Sequence, residues 1–372
     1  MGVTPLATDS AQKLVAEDVG RMAGRCEAEL DSLAGRELLF TGGGGFLGYL
    51  FLHLLAQVGD RDGRKPIRIT VYENFSRGRK AWLETLAKRP NVVVVEHDIT
   101  KPLPDTMPSV DYIVHAASIA SPTHYRLHPI ETIDANVNGL RALLDYARAR
   151  QDLGQPVGGL LFFSSSEIYG DPPAGDIPTP ETFRGLVSCT GPRACYDESK
   201  RMGETLCVNF AQQYGVRVAM ARPFNNYGPG LGLHDRRVLP DLVRNVLANE
   251  DVTLLSDGRA TRTFCYVADA VVGYTKILVT GVPGEPYNIG TDRPEISMRD
   301  LADRVVALGR ELFGYRGSVV HRTSDDAAYL TDNPHRRCPD LTKARTQLGY
   351  EPEVDLNEGL RRSLIWYREN QS

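Results

Sequence analysis

The sequence predicts an α/β fold, a Rossmann-type doubly wound parallel sheet with a smaller C-terminal α/β substrate lobe. Three observations carry that prediction. From residue 36 onward, short apolar runs of strand character alternate with helical patterns. Gly42, Gly45 and Gly48 recur at three-residue spacing directly after the first run. A later run, Leu160-Leu161-Phe162-Phe163, ends in "SSSEIYG". Such an ending sets hydroxyls and a carboxylate at the carboxyl end of a buried strand, where parallel sheets bind ligands.

The elements follow in order. Over residues 11–34, Leu14, Val15, Val19, Met22, Leu30 and Leu33 recur at helical spacing. They predict one amphipathic helix in an N-terminal extension, residues 1–35, packed on the main domain or on a neighbouring subunit. Residues 36–220 are expected to form the dinucleotide-binding domain, with later segments crossing into it, and residues 221–372 mainly the substrate lobe. "RELLFTGGGGFLGYLFLHLLAQVG" reads as a strand from Leu38 to Phe40, a glycine turn, and a helix through Leu55. The first glycine permits the tight turn, the second lets backbone approach a pyrophosphate, and the third lets helix and strand pack closely. Gly42, Gly45 and the first helical residues Phe46 and Leu47 are the phosphate-side candidates, because a helix N-terminus offers N–H groups and a positive dipole.

The second strand, in "IRITVYENFS", ends at Glu73 and Asn74, placed to hold the adenosine ribose. A carboxylate there repels a 2′-phosphate, so NAD is favoured over NADP. "VVVVEHDIT" offers Asp98 and Ile99 to the adenine edge. "VDYIVHAAS" supplies Ala116 and Ala117, and Pro223 closes the cofactor set. In "CYDESKRMGETLCVNFAQQYG", Tyr196 and Lys200 stand four apart on one helix face. A free tyrosine titrates near pH ~10, so a base at neutral pH needs help. The lysine cation, with the charge of a nicotinamide, favours the phenolate.

Composition narrows the partners. A net charge of −4 across 372 residues argues against nucleic acid or an anionic membrane. No apolar run has membrane-spanning or signal-peptide form. Six cysteines without CxxC spacing read as reduced thiols in a cytoplasmic protein, and no metal site is predicted.

With these residues in place, the chain resembles the extended short-chain dehydrogenase/reductases of the nucleotide-sugar epimerase/dehydratase type, from about residue 36 to about residue 368. The resemblance rests on "TGGGGFLG", the serine-ended strand, the Tyr196–Lys200 pair, "RPFNNYGPG", "GRATRTFCYVADA", "YNIG" and "RCPDLTKARTQLGYEPEVDLNEGL". Within that family, "ASIASPTHYRLHPIETIDANVNG", "SEIYGDP" and "GPRACYDESKR" are most similar to the decarboxylase branch, whose substrate is UDP-glucuronate. The resemblance implies a tightly held NAD, reduced and reoxidised each cycle, and a nucleotide diphosphate sugar as substrate. It implies that Ser165, Tyr196 and Lys200 oxidise the sugar at C4. Ser166, Asn225, Arg237, Arg262, Tyr287 and Arg337 would line the sugar-nucleotide site. Glu167 and Arg262 would serve the loss of CO₂. Relatives pair the helices around residues 131–150 and 196–214, which predicts a homodimer.

A 4,6-dehydratase carries Asp-Glu where this chain has Ser166-Glu167, so the acid that helps the 6-hydroxyl leave is missing. A 4-epimerase needs neither group and stays open as the alternative. A silent NAD-binding sensor is disfavoured by the intact Ser165, Tyr196 and Lys200, and an NADPH reductase by Glu73. The chain departs from the decarboxylase pattern at Ser199, usually glycine, in "RGLVSCT", and in the helix at residues 11–34.

Overall fold

The computed structural model describes residues 10–60, 63–322 and 334–371. Seven parallel strands form the central sheet. They are β1 (Glu37–Thr41), β2 (Arg68–Glu73), β3 (Val92–Glu96), β4 (Tyr112–His115), β5 (Gly159–Phe163), β6 (Val218–Pro223) and β7 (Pro286–Ile289). Their order is β7-β6-β5-β4-β1-β2-β3, so strand order reverses between β1 and β4, and the crevice at that point opens at the carboxyl ends. The seventh strand comes from the C-terminal third of the chain.

Both faces of this sheet are covered, which is why its strands read as continuous apolar runs. Along β5 the pleat sends Leu160 and Phe162 into one core and Leu161 and Phe163 into the other. The first core lies under α4 (Leu140–Asp152) and α5 (Ala194–Tyr214). The second holds α3 (Phe46–Ala56), α6 (Val267–Thr280) and the C-terminal α7 (Leu356–Glu369).

The single N-terminal helix expected over 11–34 is two helices, α1 (Ala11–Arg25) and α2 (Glu27–Leu33). Cys26 leaves helical geometry at φ −124°, ψ 24°, and its buried thiol faces the Val272 carbonyl. The break lets Val15, Val19 and Met22 on α1, and Leu30 and Leu33 on α2, reach the same core.

A buried ion pair fastens α1 to α7. Asp18 accepts from the Tyr266 hydroxyl at 2.6 Å and meets Arg362 at 3.0 Å, with both charged side chains almost wholly enclosed. Burial pushes the Asp18 carboxyl up to about 6, against the pull of Arg362 and Tyr266. Arg362→Met leaves that carboxylate without its cation. We expect a destabilisation of about 3–5 kcal/mol, read as a lowered Tm; an unchanged Tm would show that the pair is energetically idle.

The C-terminal part of the chain forms a separate three-stranded sheet. Thr261–Arg262 pairs antiparallel with Ile296–Ser297 and parallel with Arg336–Arg337. The register Arg262↔Arg337 makes these two arginines neighbours. From this sheet Arg337 reaches Glu167 in the turn after β5.

Candidate active site

A cleft of about 3020 Å³ runs along the carboxyl ends of the strands. Every site residue expected from the sequence lines it, except Tyr287. Tyr287 lies fully buried in β7, with its hydroxyl donating to Gln347 at 2.9 Å and accepting the Val282 N–H at 3.1 Å. A position next to "NIG" could not reveal that, because alternate residues of a strand point to opposite faces.

The glycine turn has the form a dinucleotide requires. Gly42 has φ +70°, and a Cβ there would sit 2.4 Å from the Ala117 backbone. At Gly48 a Cβ would sit 2.1 Å from the Gly43 carbonyl, so helix α3 meets its own turn at a distance only glycine allows. Gly45 caps α3 with no side-chain acceptor, so the first-turn N–H groups at Phe46 and Leu47 face the cleft. Glu73 hangs over this turn, accepting the Gly44 N–H at 2.8 Å and the Phe75 N–H at 3.2 Å. Farther along the cleft, the hydroxyls of Ser118 and Ser164 are buried without a protein partner. Orphan hydroxyls in a cleft are what a polar ligand would satisfy.

Asp235 ties the two sides of the cleft together. It accepts from Arg77 of the cofactor loop at 3.3 Å and pairs with Arg237 at 3.2 Å, while its carbonyl accepts from Ser121 at 2.8 Å. We expect Asp235→Asn to retain the fold but lose NAD faster on dialysis, measured as NAD released from denatured protein against time. NAD loss at the parental rate would rule out this clasp.

At the end of β5, Ser165 lies close enough to the Tyr196 phenol to favour its ionised form. The Tyr196 ring stacks on Tyr125, with centroids 5.1 Å apart and planes 12° apart. The lysine departs from expectation. Lys200 Nζ donates to the Phe163 carbonyl at 2.7 Å and stands 5.7 Å from the Tyr196 ring centre. Burial, the largest influence on Tyr196, pushes its phenol up, and burial brings Lys200 down to about 7. Ser165 and Arg237 pull the phenol the other way, toward ionisation. Ser199 fits without strain, accepting from Asn136 at 2.9 Å and donating to the Tyr196 carbonyl at 3.0 Å.

Glu167 is the centre of a charged cluster. Arg337 grips it with both guanidinium arms, one at 2.9 Å, and Arg193 adds a third donor. Burial alone would raise the Glu167 carboxyl, but Arg337 and Arg193 hold it far below the usual carboxylate range. Beside them, burial and the Arg337 charge bring Arg262 down to about 10. Its guanidinium donates to the carbonyls of Thr261, Pro334 and His335. Asn225 lies at the cleft with φ +41°, its amide donating to the Thr263 carbonyl at 2.9 Å. Sequence reasoning missed Arg193. Its signal was present in "GPRACYDESKR", three residues ahead of Tyr196, but nothing in the spacing says that its side chain turns back to Glu167.

Residues 38–290 match the model of the NAD dependent epimerase/dehydratase family. The chain belongs to that family. It is an NAD-dependent nucleotide-sugar enzyme. It is 37% identical over 324 residues to UDP-glucuronic acid decarboxylase 5 of Arabidopsis thaliana, covering 87% of this chain and 86% of the relative. It is 36% identical to UDP-glucuronic acid decarboxylase 1 of Xenopus tropicalis, covering 90% and 72%. Among solved structures it is similar to the dTDP-glucose 4,6-dehydratase DesIV of Streptomyces venezuelae, solved with NAD bound. That match has a TM-score of 0.74 and 28% identity, covering 90% of this chain and 97% of DesIV. As a family member, the chain uses NAD, and the glycine turn, Glu73 and the orphan serines suit it. Among the described residues, no helix is long and apolar enough to cross a membrane, and none of the six cysteines is bridged.

Proposed function

We propose that the protein decarboxylates UDP-glucuronate through a 4-keto sugar. The observation that carries this reading is Glu167, a carboxylate kept ionised by Arg337 and Arg193 with Ser166 in place of an acid beside it. A dehydratase needs a proton donor at that place. This site offers a fixed negative charge instead.

Gly42, Gly45, Phe46, Leu47, Glu73, Asn74, Asp98, Ile99, Ala116, Ala117 and Pro223 hold the dinucleotide in this reading. Asn225, Arg237, Arg262 and Arg337 face the nucleotide diphosphate and the sugar. NAD held by these residues would supply the acceptor, and later the donor, of the C4 hydride. Tyr196 removes the 4-hydroxyl proton while Ser165 hydrogen-bonds the same oxygen, and Lys200 braces the end of β5 through the Phe163 carbonyl. The 4-keto uronate is a β-keto acid. The bond from C5 to the carboxylate carbon breaks, its electron pair moves into C4–C5 with charge on O4, and CO₂ leaves. Glu167 occupies Arg337 and Arg193, so these cations are not free to pair with the substrate carboxylate and hold it in place. A solvent proton then adds at C5.

Incubation with UDP-glucuronate in deuterated water tests this directly. A UDP-pentose with deuterium at C5, together with CO₂, is the expected product. A 4-epimer without deuterium would overturn the reading and establish the epimerase.

The same reading extends to a homodimer. Leu127, Ile130, Ile133 and Met202 are large apolar side chains exposed on Pro122–Leu127, Pro129–Asp134 and α5, and a partner's matching helices would cover them. Light scattering at micromolar concentration is expected to give a dimer; a monomer would refute it.

A further inference from the structure

Arg193 joins the two halves of the site. Its backbone opens α5, with its carbonyl accepting the N–H groups of Tyr196 at 3.0 Å and Asp197 at 3.1 Å. Its side chain crosses to the turn after β5 and donates to Glu167 Oε2, the same oxygen that Arg337 reaches from the smaller lobe. Its Nε stands 3.8 Å from Asp197 Oδ2, an ion pair at the limit of contact, and makes no hydrogen bond among the described residues. The side chain is only 13% exposed. Glu167 therefore stands between an arginine of the helix that carries Tyr196 and an arginine of the substrate lobe.

Arg337 by itself already gives Glu167 a two-armed partner. A second guanidinium on the same carboxylate exceeds what neutralising one charge requires. What it adds is direction, because two cations approaching from different elements leave a carboxylate one orientation, and the planar fork fixes geometry as a lysine would not.

We propose that Arg193 is a positioning residue that fixes Glu167, ionised and in a single orientation, at the head of the Tyr196 helix, so that C4 oxidation and the loss of CO₂ occur at one place. This rests on the decarboxylase reading above. Arg193 acts through Glu167 and need not touch the sugar. Without it, C4 oxidation keeps Ser165, Tyr196 and Lys200, whereas the carbon–carbon cleavage loses its aligned charge. The two steps should come apart, with 4-keto uronate leaving the enzyme still carrying its carboxylate and the C4 hydride left behind as NADH, so release stops at about one equivalent per site.

The test uses the full-length protein with its NAD, as wild type, Arg193→Met and Arg193→Lys, each supplied with UDP-glucuronate. CO₂ release and released 4-keto uronate are measured separately across pH. Tm and bound NAD are recorded for each variant. For Arg193→Met we expect CO₂ release to fall about 10- to 100-fold, the worth of one charge-assisted hydrogen bond. Released 4-keto uronate should rise, and Arg193→Lys should recover part of the loss. The acid limb of the CO₂ profile should also move to higher pH. Glu167 is held low by two arginines, so removing one lets its pKa rise and the ionised form is lost sooner as pH falls. If Arg193→Met slows both steps equally and leaves the acid limb in place, Arg193 is merely structural and the proposal is wrong. The proposal is equally wrong if Arg193→Lys, folded and loaded with NAD, restores CO₂ release in full, because a charge without the planar fork would then suffice. If the wild type itself releases no CO₂, the decarboxylase reading fails, and this inference falls with it.

Discussion

Tyr196→Phe is expected to lower turnover on UDP-glucuronate by about 10²–10⁴-fold, the usual worth of a positioned general base. The change removes one oxygen from a buried ring. Its stacking on Tyr125 at 5.1 Å does not depend on that oxygen, and the Tyr196 backbone continues to cap on the Arg193 carbonyl. Tm and bound NAD should therefore stay near wild type while CO₂ and 4-keto sugar both disappear. Turnover within a few-fold of wild type would refute the whole assignment.

Glu167→Gln should separate the two halves of the reaction. The amide keeps the size of the side chain but removes the anion shared by Arg337 and Arg193. C4 oxidation needs only Ser165, Tyr196 and Lys200 and should continue. CO₂ release should fall by about 10²-fold, and 4-keto uronate with its carboxylate attached should build up, visible by NMR of the quenched reaction. Two largely buried guanidiniums are also left with a neutral partner, so some loss of Tm is expected. Unaltered CO₂ release would mean that Glu167 serves only to orient its neighbours. Loss of C4 oxidation along with CO₂ would mean that it belongs to the first step.

The sheet and the cofactor side were legible because their signals are local. A glycine turn between a strand and a helix has its geometry written in adjacent residues, and Gly42 and Gly48 stand where a Cβ would collide with backbone. Tyr196 and Lys200 share a helix face by their spacing alone, and Ser165 follows from the end of β5. The lysine's true partner was not legible, because the Phe163 carbonyl becomes reachable only when α5 packs against β5. Likewise the break at Cys26 depends on what α1 and α2 pack against, 246 residues along the chain at Val272; helical periodicity runs through it unchanged.

By itself, the sequence determined the parallel α/β sheet, the dinucleotide turn and the shared helix face of Tyr196 and Lys200, since each depends on neighbours a few residues apart. Tertiary structure alone decided the surroundings of Glu167. Arg193 comes from the head of α5, while Arg337 comes from a strand whose register with Thr261–Arg262 sets it beside Arg262. It also withdrew Tyr287 into the core and put Asp235 between the cofactor loop and Arg237. Charges that meet across 170 residues of chain leave no periodic trace in a sequence. Their pairing is fixed only when strands take their register and helices their packing.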